Sequence, residues 1–139
     1  MSYTQAIDEV KAAVEAISGL TYTTAPRVST LLEEGRAGLS GHFSLEDMSG
    51  PQPWPELAIT PTWWFCQMRL EIGFEVTTDK LEQGKTLEGW AAQVVNALRF
   101  AKPHLTYATV YGWEAPIIER DINNKRSVWI AQFKIRYQS

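Results

Sequence analysis

The sequence predicts an α+β domain: a mostly antiparallel sheet with one face covered by two helices, plus a long loop or arm. Three observations carry this reading. The stretch WWFCQMRLEIGFEVTT, Trp63 to Thr78, alternates from residue 66 onward, with Cys, Met, Leu, Ile, Phe and Val on one side and Gln, Arg, Glu, Gly, Glu and Thr on the other. The closing stretch SVWIAQFKIRY sets Trp129, Ala131, Phe133, Ile135 and Tyr137 against Gln132, Lys134 and Arg136. Two further segments repeat apolar residues at helical spacing, Ile7, Val10, Val14 and Ile17 in one and Leu87, Trp90, Ala91, Val94, Val95 and Leu98 in the other.

The first helix draws propensity from Ala6, Ala12, Ala13 and Ala16, with Ser2 or Thr4 as N-cap, and ends where Gly19 and Leu20 offer a left-handed turn with a closing apolar contact. Its other face, Asp8, Glu9, Lys11 and Glu15, is expected to meet water. TYTTAPRVSTLL, residues 21–32, is Thr-rich and contains Val28, which predicts a strand broken or placed at an edge by Pro26. From residue 33 to 62 glycines and prolines alternate among the acids Glu33, Glu34, Glu46, Asp47 and Glu56, and this is read as the loop or arm. The long strand follows, then a turn through TDKLEQGK, then the second helix with Thr86 as its cap. HLTYATVYGWEA, residues 104–115, alternates Tyr107, Thr109, Tyr111 and Trp113 against Ala108, Val110 and Gly112. ERDINNKRS is an exposed turn, so the last two strands should pair as an antiparallel hairpin, with Ile117 and Ile118 near the end of the first. A strand of about a dozen residues spans roughly 40 Å while a helix of about fifteen covers about 22 Å, so part of the long strand should project beyond its own core.

A chain of 139 residues with 45% apolar side chains is the size of one domain, 1–139, with ample core material. The formal charge of −3, from 13 basic and 16 acidic residues, supplies no general attraction to phosphate backbones or anionic lipid. The single cysteine, Cys66, forms no internal disulfide, and a reducing compartment fits best. Charges at Asp8, Glu9, Lys11 and Glu15 interrupt what a secretory leader would need, and no apolar run reaches the roughly 20 residues that cross a bilayer, so a soluble protein is expected.

The usual spacings of catalytic and metal-binding residues do not occur. His42 and His104 belong to no H-x-x-x-H pattern, and His42 with Glu46 and Asp47 would bind a metal only if the loop folded around it; a solvated acidic loop is the simpler reading. Cys66 sits on the apolar side of its strand, where burial resists thiolate formation, so it reads as core rather than nucleophile. No nucleophile elbow, phosphate loop or dinucleotide turn occurs, and no enzymatic activity or cofactor is expected. Lys125, Arg126, Lys134 and Arg136 lie near Trp129, Phe133 and Tyr137, but alternation puts the strand's bases and aromatics on opposite faces, as in an ordinary amphipathic strand. Trp90, Trp113 and Trp129 read as core. Trp54, Trp63 and Trp64 border the Pro-rich segment, and Trp63 and Trp64 must point to opposite faces, so one of them is a candidate interface anchor; the alternative is a small apolar cluster under the loop.

An Ala-rich first helix, an irregular middle, a long alternating strand, a second helix of the form TLEGWAAQVVNAL and a closing strand SVWIAQFKIRY together resemble the tail terminator proteins of long-tailed bacteriophages and related neck proteins, over nearly the whole chain. The resemblance implies a structural virion protein, assembled in the bacterial host cytoplasm and located at the tail or neck. Such a protein forms a homo-oligomeric ring, a hexamer in that family, that caps the tail tube and ends its polymerisation. Its implied partners are further copies of itself, the tail tube protein and a head-completion or connector protein, with no membrane, no specific nucleic acid and no cofactor. The candidate inter-subunit or tail-tube interface is Trp54, Trp63, Trp64, Glu46, Asp47, Lys125 and Arg126. The alternatives are another neck or tail-completion protein, or a small ligand-binding or regulatory module with a Trp-rich pocket.

Overall fold

The computed structural model describes residues 2–24, 27–33, 40–54, 63–75, 80–98, 105–121 and 126–138. Residues 34–39 and 55–62 of the expected arm lie outside this set, as do 76–78, His104 and Lys125. The elements run α1 (Ser2–Glu15), β1 (Thr21–Tyr22), α2 (Val28–Glu33), β2 (His42–Asp47), β3 (Gln52–Trp54), β4 (Trp63–Glu75), α3 (Lys80–Leu98), β5 (Ala108–Tyr111), β6 (Ile117–Asp121) and β7 (Arg126–Gln138). This is an α+β architecture built on one mixed sheet, in which, among the described residues, only β1, parallel to β2, departs from antiparallel pairing. Among the described residues no helix is long and apolar enough to cross a membrane.

The sheet is organised around one ribbon. β4 and β7 pair antiparallel without interruption from Trp63↔Gln138 to Glu75↔Arg126. Over Trp63–Glu75 the long strand therefore has a partner of its own length. β2 and β3 flank β4, and β5 and β6 flank β7, each pair acting as one broken strand. Between Asp47↔Met68 and Gln52↔Phe65 the segment 48–51 opposes only Cys66 and Gln67. Between Tyr111↔Lys134 and Ile117↔Ile130 the segment 112–116 opposes only 131–133. Both insertions contain a glycine in the left-handed region, Gly50 at φ 71° and Gly112 at φ 64°, where an L side chain would be strained.

Alternation decides the two faces. On the core face Cys66, Met68, Leu70, Ile72 and Phe74 of β4 lie beside Trp129, Ala131, Phe133, Ile135 and Tyr137 of β7, beneath Ala6, Val10 and Val14 of α1 and Leu87, Val94 and Leu98 of α3. The two expected helices do cover one face. A third, α2, packs on the other, with Val28 and Leu31 against Val128 and Ile130.

Four expectations are corrected here. Residues 21–32 form two strand residues followed by a helix, because Val28 and Ser29 find acceptors for their N–H groups in Ser44 and Glu71, which caps α2 and overrides the β preference of valine. The span 33–62 contains β2 and β3, whose six and three residues are short and set amid glycines and prolines that suggest a loop. α3 starts at Lys80, within the expected turn, so Thr86 lies inside the helix and is not its cap. The strand expected over 104–115 is confined to Ala108–Tyr111 and resumes at Ile117, still paired with β7 as the hairpin reading required.

One close approach ties the first helix to the rest. Gly41, at φ 80°, stands so near the Gly19 carbonyl that a Cβ there would lie 2.3 Å from its oxygen. Trp90 closes this corner, its Nε1 donating to the Ser18 carbonyl at 3.2 Å. The tryptophan of the α3 stripe thus seals the end of α1 while remaining half-exposed to solvent.

Candidate assembly surfaces

The candidate interface residues do not converge on one place. Trp54, Trp63 and Trp64 meet at the end of the ribbon where β3 pairs with β4, in the register Trp54↔Trp63 and Pro53↔Trp64. Trp63 and Trp64 take opposite faces as alternation requires. Trp64 packs half-buried against the core cluster, while the Arg136 guanidinium lies over the Trp63 ring, 5.0 Å from its centroid, on the second face. Arg126 ends the ribbon at the other extreme, paired with Glu75, roughly 40 Å away at the usual strand rise.

Glu46 and Asp47, adjacent in β2, also split between faces. Asp47 lies on the core face, where it accepts a 2.6 Å hydrogen bond from the Tyr3 hydroxyl and bonds from the N–H groups of Ser49 (3.2 Å) and Gly50 (2.9 Å). It thereby shapes the first insertion, an Asx turn in function, and pins the start of α1. Burial and this bond to Asp47 push the Tyr3 phenol above its ordinary range. Burial, with a smaller contribution from Asp47, likewise raises the Cys66 thiol to about 12. Cys66 is fully buried with its Sγ 3.6 Å from the Met68 sulfur, the environment of a packing residue.

Glu46 belongs to a cluster on the second face that alternation alone did not reveal. Arg27 donates to both its oxygens, at 2.6 and 3.3 Å, and this pairing raises the arginine's already high pKa. Beside it Glu71, with no exposed surface, accepts from Arg69 Nε at 2.6 Å and from the Ser29 N–H at 2.9 Å, while buried Ser44 accepts from the Val28 N–H at 3.0 Å. A buried carboxylate is tolerable only when paired and hydrogen-bonded in this way. The cluster fastens a short helix to the sheet. Its signal in sequence was Arg69-x-Glu71 on the polar side of β4, but the partners Arg27, Ser29 and Ser44 come from segments read as weak strand and loop.

The remaining surface is the outer edge. β5 and β6 pair only with β7 among the described residues, and β6 carries the exposed large apolar residues Ile117 (53%) and Ile118 (45%). Adjacent strand residues face opposite sides, so an apolar side chain flanks this open edge above and below. At the other end of the sheet β1 pairs, among the described residues, only with β2. No family model matches the chain, and no curated protein matches it.

Proposed function

We propose that this chain is a structural assembly protein that closes into a ring on the end of a phage tail tube, ending tube polymerisation and presenting the surface to which the head joins. One observation carries the reading: exposed Ile117 and Ile118 flank an open strand edge, an arrangement that monomeric proteins normally blunt and that oligomers bury. The layout resemblance to tail terminators supplies the setting. The aromatic end of the ribbon, with Trp63 and Trp64 half-buried, supports a second contact, to the tube.

The test is solution mass by light scattering, alone and with purified tail tubes, for the native chain and an Ile117→Lys, Ile118→Lys variant. The native chain is expected to give a multiple of 15.7 kDa, alone or on tubes, and the variant to remain a folded monomer. A native chain that stays monomeric and ignores tubes would overturn the reading. Binding to an isolated head connector and not to tubes would favour another neck protein instead.

A further inference from the structure

Resting on that ring reading, we infer that neighbouring copies join by continuing the sheet, the outer edge of β6 in one copy pairing antiparallel with the outer edge of β1 in the next. The two edges, unpaired among the described residues, run in opposite directions: β1 is parallel to β2, and β2, β4, β7 and β6 then alternate. A second copy added with its faces aligned therefore meets β6 as an antiparallel strand, the pairing that tolerates one solvated face.

The register carries the inference further. Tyr22↔Phe43, Phe43↔Ile72, Ile72↔Trp129 and Trp129↔Ile118 form one cross-strand row on the core face, ending at both edges of the sheet. Its inner members Phe43, Ile72 and Trp129 are buried, whereas Tyr22 is half-buried and Ile118 is exposed. Placing Ile118 against the next copy's Tyr22 continues this row with an aromatic and β-branched pair, the kind that stabilises antiparallel neighbours. The same register sets exposed Thr21 against exposed Glu119 on the other face. Charge favours a second copy as the occupant. The β1 side carries Lys11, 4.3 Å from the Tyr22 ring centroid, and the β5 and β6 side carries exposed Glu114 and Glu119.

The test uses the full chain in a Cys66→Ala background. Tyr22→Cys and Ile118→Cys are placed on separate chains, mixed and oxidised, and Thr21→Cys with Glu119→Cys serves as a second pair whose native side chains are both exposed. Directly opposed Cβ atoms lie within disulfide reach. Each pair is expected to give the mixed disulfide in preference to either symmetric one, and a chain carrying both cysteines of a pair to give a ladder of covalent multiples. An oligomer by light scattering that yields only the symmetric 118–118 disulfide, or none from either pair, would overturn edge pairing while leaving the ring reading intact. A monomer under every condition would overturn both.

Discussion

The two faces of the β4–β7 ribbon share a backbone and solve burial by opposite means. On the core face α1 and α3 lie over side chains that are almost wholly apolar, and the contact is non-directional. On the second face α2 buries Val28 and Leu31 among its described side chains, and its attachment also draws on Arg27–Glu46, Arg69–Glu71 and two backbone N–H groups capped by Ser44 and Glu71. A six-residue helix cannot hold itself together in water. The long helices are thus kept by area and the short one by specific bonds, and the two should respond differently to single substitutions.

The largest effect is expected on the core face. Phe133 is 2% exposed and stacks on Trp113 at 4.8 Å between ring centroids, so Phe133→Ala should cost about 4 kcal/mol in urea unfolding through lost transfer energy and a residual cavity. A second apolar substitution should not restore it unless it refills the volume. On the second face Glu71→Ala should cost about 3 kcal/mol, because it strands the Arg69 guanidinium and the Ser29 N–H beneath α2. Here the remedy differs: adding Arg69→Met to a Glu71→Leu change should recover the part of the loss due to the stranded guanidinium, while the Ser29 N–H still lacks its acceptor. Tryptic cleavage after Arg27 should accelerate in Glu71→Ala and leave Phe133→Ala comparatively unaffected at equal distance from the unfolding midpoint. Equal acceleration in both would show that α2 unfolds only with the whole domain.

The same contrast explains what the sequence makes legible. A strand buried on one face by helices declares itself through period two, and β4 does so from Cys66 onward and β7 from Trp129 to Tyr137; α1 and the second half of α3 declare themselves through their apolar stripes. α2 carries no such signature, since six residues make fewer than two turns and its caps lie 16 and 42 residues away in the chain. β2 has the right alternation, Phe43 and Leu45 inward against Ser44 and Glu46, but glycines and acids around it suggest a loop. Of the candidate interface, the opposed directions of Trp63 and Trp64 followed from alternation, whereas the internal engagement of Glu46 and Asp47 depends on Arg27 and Tyr3, partners brought in from remote segments. The sequence puts the edge isoleucines near a strand end but does not mark them as a surface, because exposure depends on which strand ends the sheet, and topology is not written in a local period.

The smallest expected effect sharpens the comparison by holding the chemistry constant and changing only its burial. Glu9 of α1 does for the core-face layer what Glu71 does for α2: its carboxylate accepts the N–H groups of Thr106 (2.7 Å), Tyr107 (2.9 Å) and Ala108 (3.1 Å), stitching the helix to the start of β5. Unlike Glu71 it lies at the rim, where water can replace a lost bond, and Ala6, Val10 and Val14 hold α1 down independently. Glu9→Gln keeps one acceptor oxygen but turns an amide donor toward backbone donors, so at least one bond is lost. The expected cost is about 1 kcal/mol, seen as a lower urea midpoint with an unchanged slope, against a change within about 0.5 kcal/mol for Glu15→Gln on the exposed side of the same helix. A loss at Glu9 equal to that at Glu71 would mean that the polar stitch, and not apolar area, also governs the attachment of α1, and the contrast between the faces would fail.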